Sequence, residues 1–147
     1  MGNGYRLEDL LPVIEEKLKS GGTFEINING TSMLPLLVQK RDTVILKAFD
    51  GKIKKYDLPL YRRKNGAFVL HRTVGVQENS FCACGDNQWI VEKDIDYGQI
   101  IGVVCEIVRK GKKIPVSSFG YRFYCRVWEL LRPIRKYIVK IKGKLRR

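Results

Sequence analysis

The spacing of apolar positions changes twice along the chain, and the changes divide it into three segments. In the first, Leu7, Leu10, Leu11, Ile14 and Leu18 recur at helical spacing, with acids early and lysines late. This predicts an amphipathic helix, ended by Gly21 and Gly22, whose apolar stripe packs on the rest of the chain. From Thr23 the period falls to two. "TFEININ" sets Phe24, Ile26 and Ile28 on one face, and "DTVILKAF" is a second candidate strand. "DLPLYRR" and "AFVLHRTVGV" flank "KNG", whose Asn-Gly accepts positive φ and predicts a hairpin. "SFCACG" places Cys82 and Cys84 on one face, and "QIIGVVCEIVR" is a long apolar strand. From about Ser118 the helical period returns. Tyr124, Val127, Trp128, Leu131, Ile134, Ile138, Ile141 and Leu145 form one face, and Pro133 kinks this helix or splits it in two. The pattern predicts a mainly β fold of short antiparallel strands over residues 23–117. An N-terminal amphipathic helix lies in 1–22 and a basic amphipathic helical tail in 118–147.

Composition adds little to the body and much to the tail. At 147 residues, 44% hydrophobic and 29% charged, the chain can bury one core and is unlike a disordered segment. The net charge is +13, and residues 121–147 hold ten Lys/Arg against one acid, Glu129. A helix with one apolar, aromatic-bearing face and cations over the remainder suits an anionic membrane surface. Nucleic acid is the weaker expectation, and a helix packed on the body with a solvated basic face is the plain alternative. No run of 18 apolar residues occurs, so no membrane-spanning helix is expected. The opening residues contain acids and do not read as a secretion signal; Arg6 speaks against myristoylation after Met-Gly. Cysteines 82, 84, 105 and 125 show no C-x-x-C spacing, and the one histidine cannot complete a usual zinc site. They read as reduced thiols, with no metal or cofactor, in a cytoplasmic protein peripheral to the membrane.

The candidate chemistry lies in "NGTSMLPLL", Asn29 to Leu37. A serine hydroxyl is a poor nucleophile near neutral pH and needs a base. The chain offers one histidine, His71, in a strand pattern where Val69, His71 and Thr73 share a face opposite Phe68, Leu70 and Arg72. Taken alone, His71 reads as a histidine satisfied within the sheet. In mild surroundings it would titrate near its ordinary value of about 6.5.

The order of three boxes changes that reading. "GTSMLP" resembles the G-x-S-M-x-P box of the signal peptidases and self-cleaving repressors. "LHR", with His71 placed 39 residues after Ser32, resembles the base-carrying strand of the histidine-type signal peptidases of archaea and the endoplasmic reticulum. "CGDNQ", with Gly85, Asp86 and Asn87, is similar to their Gly-Asp-Asn box, and "YDLPLYRRKNGAFVLHRTVGV" to their hairpin. The resemblance covers roughly residues 24 to 108, a catalytic core without those enzymes' transmembrane helices or the repressors' DNA-binding domain. It implies the antiparallel β fold of that superfamily and a serine endopeptidase in which Ser32 is the nucleophile and His71 the general base. It also implies that the Ser32 backbone N–H serves the oxyanion. The hydroxyl that many bacterial members add two residues earlier is replaced here by Gly30, with Thr31 an unpersuasive substitute. Met33 and Pro35 are expected to shape the substrate cleft. The acid orienting His71 is Asp86 or, nearly level, Glu92, with Asp94 and Asp96 further behind. The implied substrate is a leader-like or extended protein segment bound along a sheet edge. A non-catalytic peptide-binding module of the same fold and a nucleic-acid-binding regulator acting through the basic tail remain alternatives.

Overall fold

The structure, a computed structural model, describes residues 6–145. The remaining terminal residues of the 1–22 and 118–147 segments, and the Leu145 side chain assigned to the tail's apolar face, lie outside that description. Helix α1 (Leu7–Lys19) forms where the helical period runs and buries Ile14 and Leu18. It ends in a Schellman pattern: the Gly22 N–H donates to the Lys17 carbonyl and the Gly21 N–H to the Leu18 carbonyl, each at 3.0 Å.

The fold is mainly β, with every described strand pair antiparallel. A first sheet runs in the order β1 (Phe24–Asn27), β2 (Asp42–Lys47), β8 (Ile100–Arg109), β3 (Pro59–Arg62), β4 (Phe68–Leu70), and β9 (Lys112–Pro115) pairs with β8. A second sheet is β5 (Arg72–Val76), β6 (Ser80–Cys84), β7 (Glu92–Asp96). Alternation along β3 and β8 divides the core in two. Leu60 and Val104 join Ile14, Leu18 and Ile26 under α1, while Tyr61 and Val103 join Phe81, Ala83 and Ile95 between the sheets.

The "KNG" hairpin joins β3 to β4. The Arg63 N–H donates to the Ala67 carbonyl, and Gly66, with φ of 93°, takes the left-handed position that a side chain would disfavour. One expectation fails just beyond it. "AFVLHRTVGV" is not one strand: β4 belongs to the first sheet and β5 to the second, with His71 at the crossover between them. Val69 faces the inter-sheet core, and Arg72 is buried in a polar cluster with Asp86 and Tyr121.

The tail is two helices, α2 (Phe119–Leu130) and α3 (Arg132–Leu145), split ahead of Pro133, which has no N–H for the Glu129 carbonyl. It is not an appendage, since Tyr121 and Cys125 belong to the core. No helix among the described residues is long and apolar enough to cross a membrane.

Candidate active site

Ser32 lies in a turn after β1, half-buried, between exposed Thr31 and buried Met33. The turn is closed by Leu34 N–H to Thr31 carbonyl and Leu37 N–H to Met33 carbonyl bonds. A second loop, Gly85–Gln88, fastens it from below. The Asn87 N–H donates to the Ser32 carbonyl at 2.9 Å, and the Asn87 side-chain amide to the Thr31 carbonyl at 3.1 Å. The Asp86 N–H points at the Met33 sulfur, 3.4 Å away. The approach is so close that a Cβ on Gly85 would stand 2.6 Å from the Ser32 carbonyl oxygen, so only glycine fits there.

Asp86 holds this second loop down. Its carboxylate takes Arg72 Nε at 2.8 Å and Nη2 at 2.9 Å, a bidentate pair buried on both sides, and the Tyr124 hydroxyl at 2.7 Å. Arg72 also donates to the Tyr121 hydroxyl and the Tyr56 carbonyl. The tail completes the clasp. Trp128 Nε1–H donates to the Asp86 carbonyl at 2.6 Å, and Arg135, lying on the Trp128 ring, donates to the Gln88 carbonyl at 3.1 Å.

This geometry corrects the expectation for Asp86. Its carboxylate is spent on Arg72 and Tyr124, so it positions the loop under Ser32 and makes no bond to His71. Glu92, its rival, accepts the Tyr61 hydroxyl at 2.8 Å and Arg63 at 3.0 Å, and it too makes no bond to His71. Burial alone would raise Glu92; the Arg63 and Tyr61 bonds outweigh that and hold it below the ordinary carboxylate value. Asp94 and Asp96 are exposed. Pro35 is exposed and lies outside the cleft, whereas Met33 lines it.

Ser32 and His71 line one cleft of about 490 Å³. Its walls are residues 26–30 at the end of β1 and residues 68–70 of β4, the two strands that end the first sheet's path. Each is paired on one side only among the described residues, so two open strand edges flank the cleft. A second hollow of about 610 Å³, lined by Trp89, Ile90 and Glu92, shares His71, Arg63 and Gln88 with the first.

His71 is 5% exposed, with the Tyr61 ring edge-on at 6.4 Å. Burial, reinforced by the Arg63 charge and only partly offset by Glu92 and Asp86, lowers its pKa to about 4. The surroundings are therefore not mild, and the imidazole is neutral at pH 7. No side chain among the described residues hydrogen-bonds it.

Sequence reasoning missed Arg63, Gln88 and Arg72. Arg63 and Gln88 stand in both hollows beside His71, yet an arginine at a strand end and a glutamine in a loop carry no signal that separates them from solvated surface. Arg72 had one signal, its adjacency to His71 within a box whose partner box carries Asp86. Compared with known protein families, curated proteins and solved structures, the chain matches none.

Proposed function

We propose that this chain is a serine endopeptidase of the signal-peptidase and repressor-protease type, built on that superfamily's β fold and working with a Ser32–His71 dyad. The observation that carries the reading is the shared cleft: the only histidine and the boxed serine, 39 residues apart in sequence, border one hollow between two open strand edges.

An extended peptide enters that hollow as an added strand along β1 or β4, its main chain satisfied by the open edges. Ser32 Oγ attacks the scissile carbonyl carbon while its proton passes to a ring nitrogen of neutral His71. The Ser32 backbone N–H has no protein acceptor among the described residues and is free to receive the oxyanion. The tetrahedral adduct collapses, the C–N bond breaks, and His71 returns the proton to the leaving amine. Water, deprotonated by His71, then attacks the acyl-enzyme ester, and collapse of that adduct frees the acid product and Ser32. A buried, neutral imidazole suits the first step, since no proton must leave it before it can act. The work is proposed for a cytoplasmic membrane face.

The experiment is peptide-library hydrolysis by wild type and Ser32→Ala, with serine-reactive labelling in parallel. Ser32→Ala loses on the order of 10³-fold or more. Equal rates in the two proteins, or no labelling of Ser32, would leave a peptide-binding module whose serine is a turn residue. The wild-type rate rises as His71 loses its proton around pH 4 and is level through neutral pH. A rate that tracks a titration near neutrality removes this His71 environment from the mechanism.

A further inference from the structure

The tail helices turn their bonded face inward and leave an apolar face without cover. Tyr124, Trp128 and Arg135 point at the Gly85–Gln88 loop. On the opposite side of α2, Phe119, Phe123, Val127 and Leu130 recur at helical spacing and are exposed, Phe119 to 85% and Leu130 to 79%. Ile134, Tyr137 and Ile141 do the same on α3. Of the face expected from spacing, Tyr124 and Trp128 are packed inward, while Val127, Ile134 and Ile141 are exposed and join Phe119, Phe123, Leu130 and Tyr137 on the outward side. Isolated exposed apolar residues are ordinary; two consecutive helices each carrying a stripe are not.

Charge identifies the occupant. Exposed Arg122 and Arg126 flank the α2 stripe, and exposed Lys140 flanks that on α3. The α2 flank continues into a hollow of about 290 Å³ where Lys47, Lys54 and Lys55 meet Arg122 and Arg126. Two acids temper this charge: Asp57, which also lines the hollow, and Glu129, which Lys55 reaches at 3.6 Å. An apolar stripe bordered by a cationic recess complements a surface that offers acyl chains beside anionic headgroups. Nucleic acid would use the cations and leave Phe119 and Leu130 in water.

We propose that α2 and α3 dock the protein on an anionic bilayer, the apolar stripes entering the headgroup–acyl boundary and a lipid phosphate occupying the Lys47–Lys54–Lys55–Arg122–Arg126 recess. The docking is independent of peptidase activity, and the test uses the full chain carrying Ser32→Ala, so a failure of either idea is read separately.

The measurement is co-sedimentation with vesicles of phosphatidylglycerol and phosphatidylcholine, against phosphatidylcholine alone. Binding requires the anionic lipid and is weakened but not abolished at about 0.5 M salt, where the Debye length falls to a few ångströms. Phe123→Ser with Leu130→Ser, at exposed positions where circular dichroism checks that the fold is kept, lowers the partition coefficient at least about tenfold. Lys54→Gln with Arg126→Gln lowers it about fivefold per cation removed. Undiminished partition of the folded serine double variant overturns the proposal. So does equal binding to the two vesicle types. Complete release by salt together with displacement by duplex DNA overturns it in favour of nucleic acid.

Discussion

The two members of the proposed dyad are held in different ways. The turn that carries Ser32 rests on a loop fastened by a buried bidentate ion pair with Arg72 and by a tyrosine hydroxyl, a tryptophan N–H and an arginine from the tail helices. His71 sits where the chain passes from one sheet to the other. Its ring is packed against Tyr61, and its surrounding charges, Arg63 and Glu92, bind each other instead of binding it. The Ser32 turn is fixed by hydrogen bonds and His71 by packing and desolvation. The contrast gives Asp86 a positioning part without contact to His71, and it locates the adjustable part of the site on the side of Glu92 and Arg63.

The sharpest way to break this comparison is to remove Asp86. Asp86→Ala leaves Arg72 charged, 3% exposed and without its carboxylate. Breaking a buried pair from one side costs about 3–5 kcal/mol, read as a lower urea midpoint at unchanged slope. If the variant keeps wild-type stability and instead shifts the His71 titration, Asp86 belongs to the base's side after all.

The second test uses the base. His71 takes up its proton near 6.5 when unfolded and near 4 when folded. Between those values the unfolded state binds more protons, so stability is fully present above pH 6.5 and is lost as pH falls toward 4, by about 3 kcal/mol in all. Asp42 is lowered to about 2 because the bonds from Arg41 and Arg109 outweigh its burial, and its own loss falls at lower pH, outside that window. His71→Asn should keep the fold and lose activity, and its stability should be flat from pH 6.5 to about 5, above the ordinary carboxylate range. A slope that persists in His71→Asn assigns the effect to other groups.

How far such features can be read from sequence depends on whether one element decides them. The faces of Ile26 and Ile28 and of Ile14 and Leu18 follow from period alone, and each is buried as the period requires. Ser32 and His71 were legible as a pair of boxes. The break at His71 was not, because a chain that leaves one sheet and enters another keeps the alternation of a single strand. The role of Asp86 was hidden because its partner stands 14 positions away in β5 and only the tertiary fold shows the pair to be buried. The tail's apolar face was legible only in part: Val127, Ile134 and Ile141 are exposed, but Tyr124 and Trp128 turn inward. The inward side uses Tyr124, Trp128 and Arg135 as hydrogen-bond donors, so the more apolar Phe119, Phe123 and Leu130 are left outside. Apolar spacing cannot distinguish a face that packs from one that awaits a different solvent.

A smaller effect tests the tail's part in the clasp. Trp128→Phe keeps a ring for the stack on Tyr124, whose centroid lies 5.9 Å away, and removes the N–H that the Asp86 carbonyl accepts. The expected cost is about 1 kcal/mol. The peptidase rate should fall with Ser32 disorder while the acid limb of the pH profile stays in place. A moved acid limb would mean that the clasp reaches the base as well as the nucleophile.

The smallest effect on stability should come from Glu92→Gln, yet that variant discriminates best on the side of the base. The Arg63–Glu92 pair is open to water, its side chains 39% and 31% exposed, so its loss costs less than about 1 kcal/mol. Its effect on His71 has a definite sign. Burial is the main cause of the lowered value, Arg63 lowers it further, and Glu92 raises it. Removing the Glu92 charge leaves Arg63 unopposed, so the His71 titration moves below about 4 and the acid limb of kcat/KM moves with it. Arg63→Gln should move the limb upward. Opposite shifts at nearly constant neutral-pH rate identify the two residues as a field acting on a base that packing holds. A collapse of kcat at neutral pH in Glu92→Gln, with the limb unmoved, would instead make Glu92 the acid that orients the imidazole once substrate closes the cleft, as in a serine–histidine–acid triad.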